Sequence, residues 1–241
     1  MKKTILIVTS LLLAFSSANA QWWSKDKVKG NGEVITKSRS VGDYDGVQLV
    51  GSMNVVLVSG NEGNLKIEAE SNLQEYIKTE VKNNVLKIST DDDVNIHPTK
   101  EIKITVPFRD IHEVSITGSG DIWNDDVIKA NNFKMQVTGS GDILLNVDVN
   151  DLKGQITGSG DIKLKGRAQD LECKVTGSGD FKAFDLKAEN VEAKISGSGD
   201  IQVTATESLK ASVGGSGDVV YKGNPKKEDF NTSGSGSVSS Y

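Results

Sequence analysis

The sequence is short of the residues that build metal and covalent chemistry. Its 241 residues include one cysteine and two histidines. That excludes a disulfide framework, a zinc site of Cys and His ligands, and an iron–sulfur site. There are three prolines, 5 % aromatic residues, and three arginines (Arg39, Arg109 and Arg167) far apart in the chain. No basic excess is present: 28 Lys+Arg stand against 33 Asp+Glu, a net charge of −5. A nucleic-acid binder normally carries a basic face, so that class is not expected. No apolar run reaches the roughly 20 residues of a membrane-spanning helix. Glycine, by contrast, is abundant at 25 residues, and glycine in such number belongs in turns. The 36 % of hydrophobic residues together with this glycine reach an ordinary globular share, so the chain is not compositionally disordered.

The N-terminus has three parts. Lys2 and Lys3 precede an apolar run from Ile5 to Phe15, and Ala18-Asn19-Ala20 follows as a small-x-small cleavage site. This is the pattern of a secretory signal peptide over residues 1–20. Its removal takes away two lysines and leaves 26 − 33 = −7. The mature chain is therefore expected outside the cytoplasm: in the periplasm, at the cell surface or in the medium. Residues 21–40, with Trp22 and Trp23, read as a polar leader.

The strongest signal is a repeat. Gly-Ser-Gly-Asp begins at Gly118, Gly139, Gly158, Gly177, Gly197 and Gly215, and Gly234-Ser235-Gly236-Ser237 is a degenerate last copy. The spacings are 21, 19, 19, 20, 18 and 19 residues. A near-fixed period signals a repeat architecture. Each copy is flanked by apolar residues at alternate positions, as in Leu171-x-Cys173-x-Val175 before it and Ile162-x-Leu164 after it. That is the period of a half-buried strand. Cys173 stands in an inward column with Gly154, Ala193 and Ala211, where a small buried residue fits.

Two all-β architectures match this pattern, an antiparallel meander and a parallel solenoid. A meander would leave its apolar face bare, because the second half shows no amphipathic helix to cover it. A solenoid closes each rung around its own core. Nineteen residues make a perimeter of roughly 60 Å, enough for three short strands. The solenoid is the expectation, with rungs of 18–21 residues and Gly-Ser-Gly-Asp corners. Irregular rungs are expected over 41–110 and regular rungs with a C-terminal cap over 111–241, the whole forming one continuous domain. Val47-x-Leu49, Gly51-Ser52-Met53-Asn54 and Val55-x-Leu57 repeat the layout with a weakened motif, so the repeat is expected to start there. The 67 residues from Gly51 to Gly118 have room for about three rungs. Asn83-Asn84 reads as a hairpin turn, and Ser71 to Lys78 as a short helical turn.

The chain also resembles a known family. Tyr44-Asp45-Gly46-Val47-Gln48-Leu49-Val50-Gly51, Ile104-Thr105-Val106-Pro107 leading into Ile116-Thr117-Gly118-Ser119-Gly120-Asp121, and the closing Gly223-Asn224-Pro225 are similar to secreted bacterial auto-transporter adhesins with a head GIN domain. The resemblance runs from about Val41 to Val238. It implies a right-handed parallel β-helix and carries over no catalytic residue. With no membrane barrel after the last repeat, the likeness is to a head-like module.

In a solenoid, Asp121, Asp142, Asp161, Asp180, Asp200 and Asp218 stack in one column, where like charges about 5 Å apart repel. One remedy is that each carboxylate accepts backbone N–H bonds at its own corner. The alternative is a bridging cation, which makes these six the calcium candidates. Asp91-Asp92-Asp93-Val94-Asn95 resembles a calcium loop, but Ile96 and Ile102 stand where such a loop needs Gly and Glu; it reads as a solvated turn. His97 and His112 have no nucleophile partner, and His112 has inward parity. No catalytic residue and no cofactor is assigned. Glycan binders use exposed aromatic platforms, and Trp123 stands at an outward position. The expectation is an exported, non-enzymatic β-solenoid with an adhesin-like or cell-envelope role and a protein or glycan ligand. The alternative is a calcium-dependent polysaccharide-binding or polysaccharide-cleaving β-helix.

Overall fold

The computed structural model describes residues 26–241. The segment read as a signal peptide, Trp22, Trp23 and the start of the expected leader lie outside the described residues. The described chain is almost all strand, with no α-helix and a single 3-10 turn at Gln74–Tyr76. Its first strands are β1 (Asp26–Lys29), β2 (Val34–Ser40), β3 (Gly46–Gly51), β4 (Asn54–Ser59), β5 (Asn64–Glu70), β6 (Ile77–Lys82), β7 (Val85–Thr90), β8 (Val94–His97) and β9 (Lys103–Phe108). The regular part holds β10 (Glu113–Gly118), β11 (Ile122–Asn124), β12 (Ile128–Gly139), β13 (Ile143–Gly158), β14 (Ile162–Gly177), β15 (Phe181–Gly197), β16 (Ile201–Gly215), β17 (Val219–Lys222), β18 (Lys227–Gly234) and β19 (Val238–Ser240).

Strands β12 to β16 stack in parallel, each on the next, and β10, β17, β18 and β19 continue the stack at its two ends. This is a parallel β-solenoid. The rung is not three separate short strands. The ladder between β13 and β14 runs from Ile143↔Ile162 to Gly158↔Gly177 with a gap only at Asn150, so one long strand bends around each rung between Gly-Ser-Gly-Asp corners. Alternate side chains point inward and stack in columns. Ile116, Val137, Ile156, Val175, Ile195 and Val213 form one such column, each at most 2 % exposed. Each side chain of this size buried from water contributes about 1.5–3 kcal/mol.

The neighbouring column begins with Met135 and continues with the small residues Gly154, Cys173, Ala193 and Ala211. A Cβ on Gly154 would meet the ring of Phe181, so the missing side chain makes room for that phenylalanine. Cys173 is a free, buried thiol as its column requires. Burial pushes its pKa up.

The weakened motif at Gly51 does begin the stack: β3 pairs directly with β10 and β4 with β11. The 67 residues between the two corners make one rung, not three. They leave the stack, and β7 and β9 return to the far side of β3 and β4. The remainder forms antiparallel pairs, β2 with β5, β5 with β9, and β6 with β7, which close the N-terminal end of the core. Asn83 and Asn84, both with positive φ, make the β6–β7 hairpin turn. Residues 26–40, the described part of the polar leader, are paired: β1 with β8 and β2 with β5, with Ile35 and Arg39 of β2 partly buried at this end. The Arg39 guanidinium donates to the carbonyls of Ile77 and Gln74.

One buried carboxylate ties this end together. Glu70 is fully buried. It accepts the Thr99 hydroxyl at 2.6 Å, the Thr99 N–H at 2.8 Å and the Gly32 N–H at 2.6 Å. These bonds, the Thr99 hydroxyl foremost, hold its pKa down to about 2 against the opposing effect of burial.

Candidate functional site

The repeated corner is built by contacts between rungs. The Gly139 carbonyl accepts the Ser159 N–H at 2.8 Å and the Gly160 N–H at 3.1 Å, and the pattern recurs along the stack. Gly158 sits at φ +127°. A Cβ there would run into the carbonyl of Gly139, and one on Gly160 into that of Gly141. Both glycines are needed because backbone stacks on backbone with no space between.

The aspartates form a ladder. Oδ1 of Asp121 accepts the N–H of Asp142 at 3.0 Å, Asp142 that of Asp161 at 2.8 Å, and Asp161 that of Asp180 at 2.8 Å. Asp180 and Asp200 continue to Asp200 and Asp218. Asn54 starts the ladder by accepting the Asp121 N–H at 3.0 Å, and Ser237 ends it on Asp218. The expected N–H acceptance is therefore present, but across rungs rather than within one corner. Each bond to a charged acceptor also offsets the repulsion along the column.

The remaining oxygens are partly engaged. The Lys182 ammonium lies 2.6 Å from Asp161 Oδ2 and 3.2 Å from Asp180 Oδ2. This arrangement, the Asp161 contact first, raises the lysine pKa. Among the described residues no group of three or more His, Cys, Asp or Glu is placed to hold a metal ion.

The other candidates do not converge. Asp91 lies in a turn between β7 and β8, paired with Lys78 at 3.0 Å and accepting the Asp93 N–H. His97 is exposed on β8. His112 is exposed rather than inward, because Ile111 takes the core position before β10. The three arginines stay apart: Arg39 holds the 3-10 turn, Arg167 pairs with Asp148 at 2.7 Å, and the Arg109 N–H donates to Glu62.

Among the grooves on the outer surface of the regular rungs, two are the largest described. One, of about 360 Å³, follows the bend at Asp151, Asp170 and Asn190. Its polar groups are largely matched to one another: Lys153 pairs with Glu172 at 2.7 Å, Asn190 donates to Asp170 at 2.8 Å, and Ser208 donates to Asn190 at 2.7 Å. The other, of about 400 Å³, is lined by Trp123, Leu144, Asn146, Lys163, Lys165 and Asp185. Trp123 is half-buried at its outward position, as expected, and Leu144 beside it in the next rung is 42 % exposed. The Lys103 ammonium lies 5.9 Å from the Trp123 ring centroid.

Sequence reasoning found Trp123 but not its neighbours. Leu144 was legible as an apolar residue two places after Asp142, where Lys163 and Lys182 stand in later rungs. The rim was legible in the spacing of 20 between Gly177 and Gly197. The extra residue is a β-bulge in β15, which shifts the register from Lys163↔Lys182 to Lys165↔Asp185.

The family described as "Putative auto-transporter adhesin, head GIN domain" matches residues 43–225. This chain belongs to that family. Solved structures of similar proteins share the fold of this head GIN chain. A "putative adhesin" of Bacteroides fragilis NCTC 9343 has 27 % identity and a TM-score of 0.83, covering 89 % of this chain and 100 % of its own. A "putative lipid binding protein" of Parabacteroides distasonis ATCC 8503 has 28 % identity and a TM-score of 0.75, covering 90 % and 100 %. A "putative adhesin" of Parabacteroides merdae ATCC 43184 has 25 % identity and a TM-score of 0.68, covering 90 % and 99 %. No curated protein sequence matches the chain. Among the described residues, no helix is long and apolar enough to cross a membrane.

Proposed function

We propose that this protein is an exported, non-enzymatic β-solenoid that makes an adhesin-like contact at the cell envelope. The observation that carries this reading is the aspartate ladder. The aspartate of the repeated motif has its Oδ1 engaged with the backbone of the next rung, so the repeat maintains a rigid rod. What remains for recognition is the outer surface of that rod. The family membership and the adhesin names of similar proteins support the same reading, and the three-part N-terminus supports export.

Two measurements test it. Protease shaving and antibody labelling of intact cells should find the protein at the surface. A deletion strain should adhere less well than its parent to host-cell or polysaccharide-coated surfaces. Retention in the cytoplasm, or unchanged adhesion, would count against the reading.

A further inference from the structure

We propose that the groove beside Trp123 binds an acidic saccharide, the indole taking the apolar face of a sugar ring and the Lys163 and Lys165 ammoniums its carboxylate or sulfate. This rests on the adhesin-like reading and names its ligand class.

Three observations carry it. The first is a break in the outward pattern. From rung to rung, the position two after the motif Asp, or after Asn54 in the first rung, holds Val56, Trp123, Leu144, Lys163, Lys182, Gln202 and Val220. An outward position calls for a polar side chain, and Lys163, Lys182 and Gln202 supply one, while Val56 is small and buried and Val220 small and partly buried. Trp123 and Leu144 do not, and they stand side by side, about 4.8 Å apart along the stack. The core does not need them there, since Ile122, Ile143 and Leu145 already fill it.

The second is shape. The β15 bulge carries Asp185 out opposite Lys165 and raises a rim, so the apolar pair lies in a concavity and not on a flat sheet. Bulges commonly re-aim side chains next to binding sites. A pyranose fits such a place because its ring carries an apolar C–H face and a hydroxylated edge. The face stacks on the indole, and the Asp185 carboxylate and Asn146 amide meet the hydroxyls. A lipid surface fits less well: it engages protruding apolar tips, and Asp185 on the rim would repel an anionic bilayer.

The third is charge. The protein is net acidic, at −5. Among the described residues Lys103, Lys163 and Lys165, like most of the lysines, have no carboxylate within 4 Å, whereas Lys182, one rung further on, bridges two aspartates. Three lysines without acidic partners around an aromatic shelf are complementary to an anion. Two rungs, roughly 10 Å, separate Trp123 from Lys163. One disaccharide with an acidic group spans that distance.

The test is titration calorimetry of the purified full chain against polygalacturonate, chondroitin sulfate, neutral dextran, and vesicles of phosphatidylglycerol and phosphatidylcholine. The expected result is salt-sensitive binding of at least one acidic polysaccharide, and weaker or no binding of dextran and vesicles. Trp123→Ala should weaken that binding about tenfold or more. Lys163→Glu with Lys165→Glu should abolish it. Both variants should melt within a few degrees of the parent, because the three side chains lie outside the core. Binding of neither acidic polysaccharide overturns the proposal, as does binding that both variants retain, or a preference for phosphatidylglycerol vesicles. The same variants in the cell-adhesion assay separate the two levels. Adhesion that is intact in both variants but lost in the deletion strain removes this site and leaves the adhesin-like reading standing. Adhesion unaffected by deletion removes the reading itself.

Discussion

The backbone N–H of Asp161 donates to Oδ1 of Asp142, one rung earlier, at 2.8 Å. The contact needs an oxygen acceptor at Asp142 and not a charge, because Asn54 performs the same task for Asp121 at 3.0 Å. Asp142→Asn is therefore expected to melt close to the parent, while Asp142→Ala leaves the N–H without its acceptor and costs about 1–2 kcal/mol. That corresponds to a fall in Tm of roughly 2–8 °C for a chain of this size. Thermal unfolding of the two variants checks this. The same melts with millimolar Ca²⁺ and with chelator should coincide. A large calcium-dependent rise would instead make the column a metal site.

Gly160 and Gly214 make a matched pair of tests. A Cβ at Gly160 would collide with the Gly141 carbonyl of the rung before. At Gly214 the nearest atom to a Cβ is 3.6 Å away, and the backbone φ is ordinary. Gly160→Ala is expected to destabilise by at least about 3 kcal/mol, since a stacked backbone cannot yield locally. Gly214→Ala should be neutral or slightly stabilising, by up to about 1 kcal/mol, through the unfolded chain. Denaturant melts that gave the two variants equal stability would contradict the stacking account.

The regular rungs were legible because one corner tetrapeptide and a period of two say the same thing six times over. Gly118 to Asp218 could be placed in columns from spacing alone, and Cys173 with them. The N-terminal excursion was not legible in this way. β5, β7 and β9 alternate as any rung strand does, and alternation shows which side chains face the core but not which edge of β3 or β4 a later strand will join. Local pattern therefore assigned three forward rungs where the chain returns to the other side. His112 failed for a related reason: parity counted from β10 does not survive the bend at Ile111. In the groove, Trp123 was visible as an outward aromatic. Its acidic and basic neighbours come from other rungs and needed the register, including the β15 bulge.

Gly154 and Phe181 should be energetically coupled. They belong to different columns and different rungs, and a Cβ at Gly154 would overlap the Phe181 ring. Gly154→Ala is expected to cost about 1–3 kcal/mol by overpacking. Phe181→Leu alone should also cost stability, because it removes part of a fully buried ring. In the double variant the smaller side chain makes room for the new methyl group. Its loss should fall short of the sum of the two by about 0.5 kcal/mol or more. A double-mutant cycle by urea unfolding measures this, and strict additivity would show that the ring does not hold that space.

Glu70 sets how the N-terminal end responds to acid. Its folded-state pKa of about 2 lies below the 4.5 of an unperturbed glutamate. A depressed carboxylate contributes stability that is fully present above the unfolded value. That contribution declines as pH falls through about 4.5 and is gone below about 2. Stability measured between pH 5 and 2 should fall in the parent. In Glu70→Gln the Glu70 part of that slope should vanish, and the variant should already be less stable at pH 7, because an amide cannot accept all the bonds from Thr99, Gly32 and Lys100. Hydrogen exchange locates the effect. Protection should be lost first in β1, β2 and the segment around Thr99, while the Gly-Ser-Gly-Asp rungs stay protected. Uniform loss along the whole solenoid would mean that Glu70 closes nothing local.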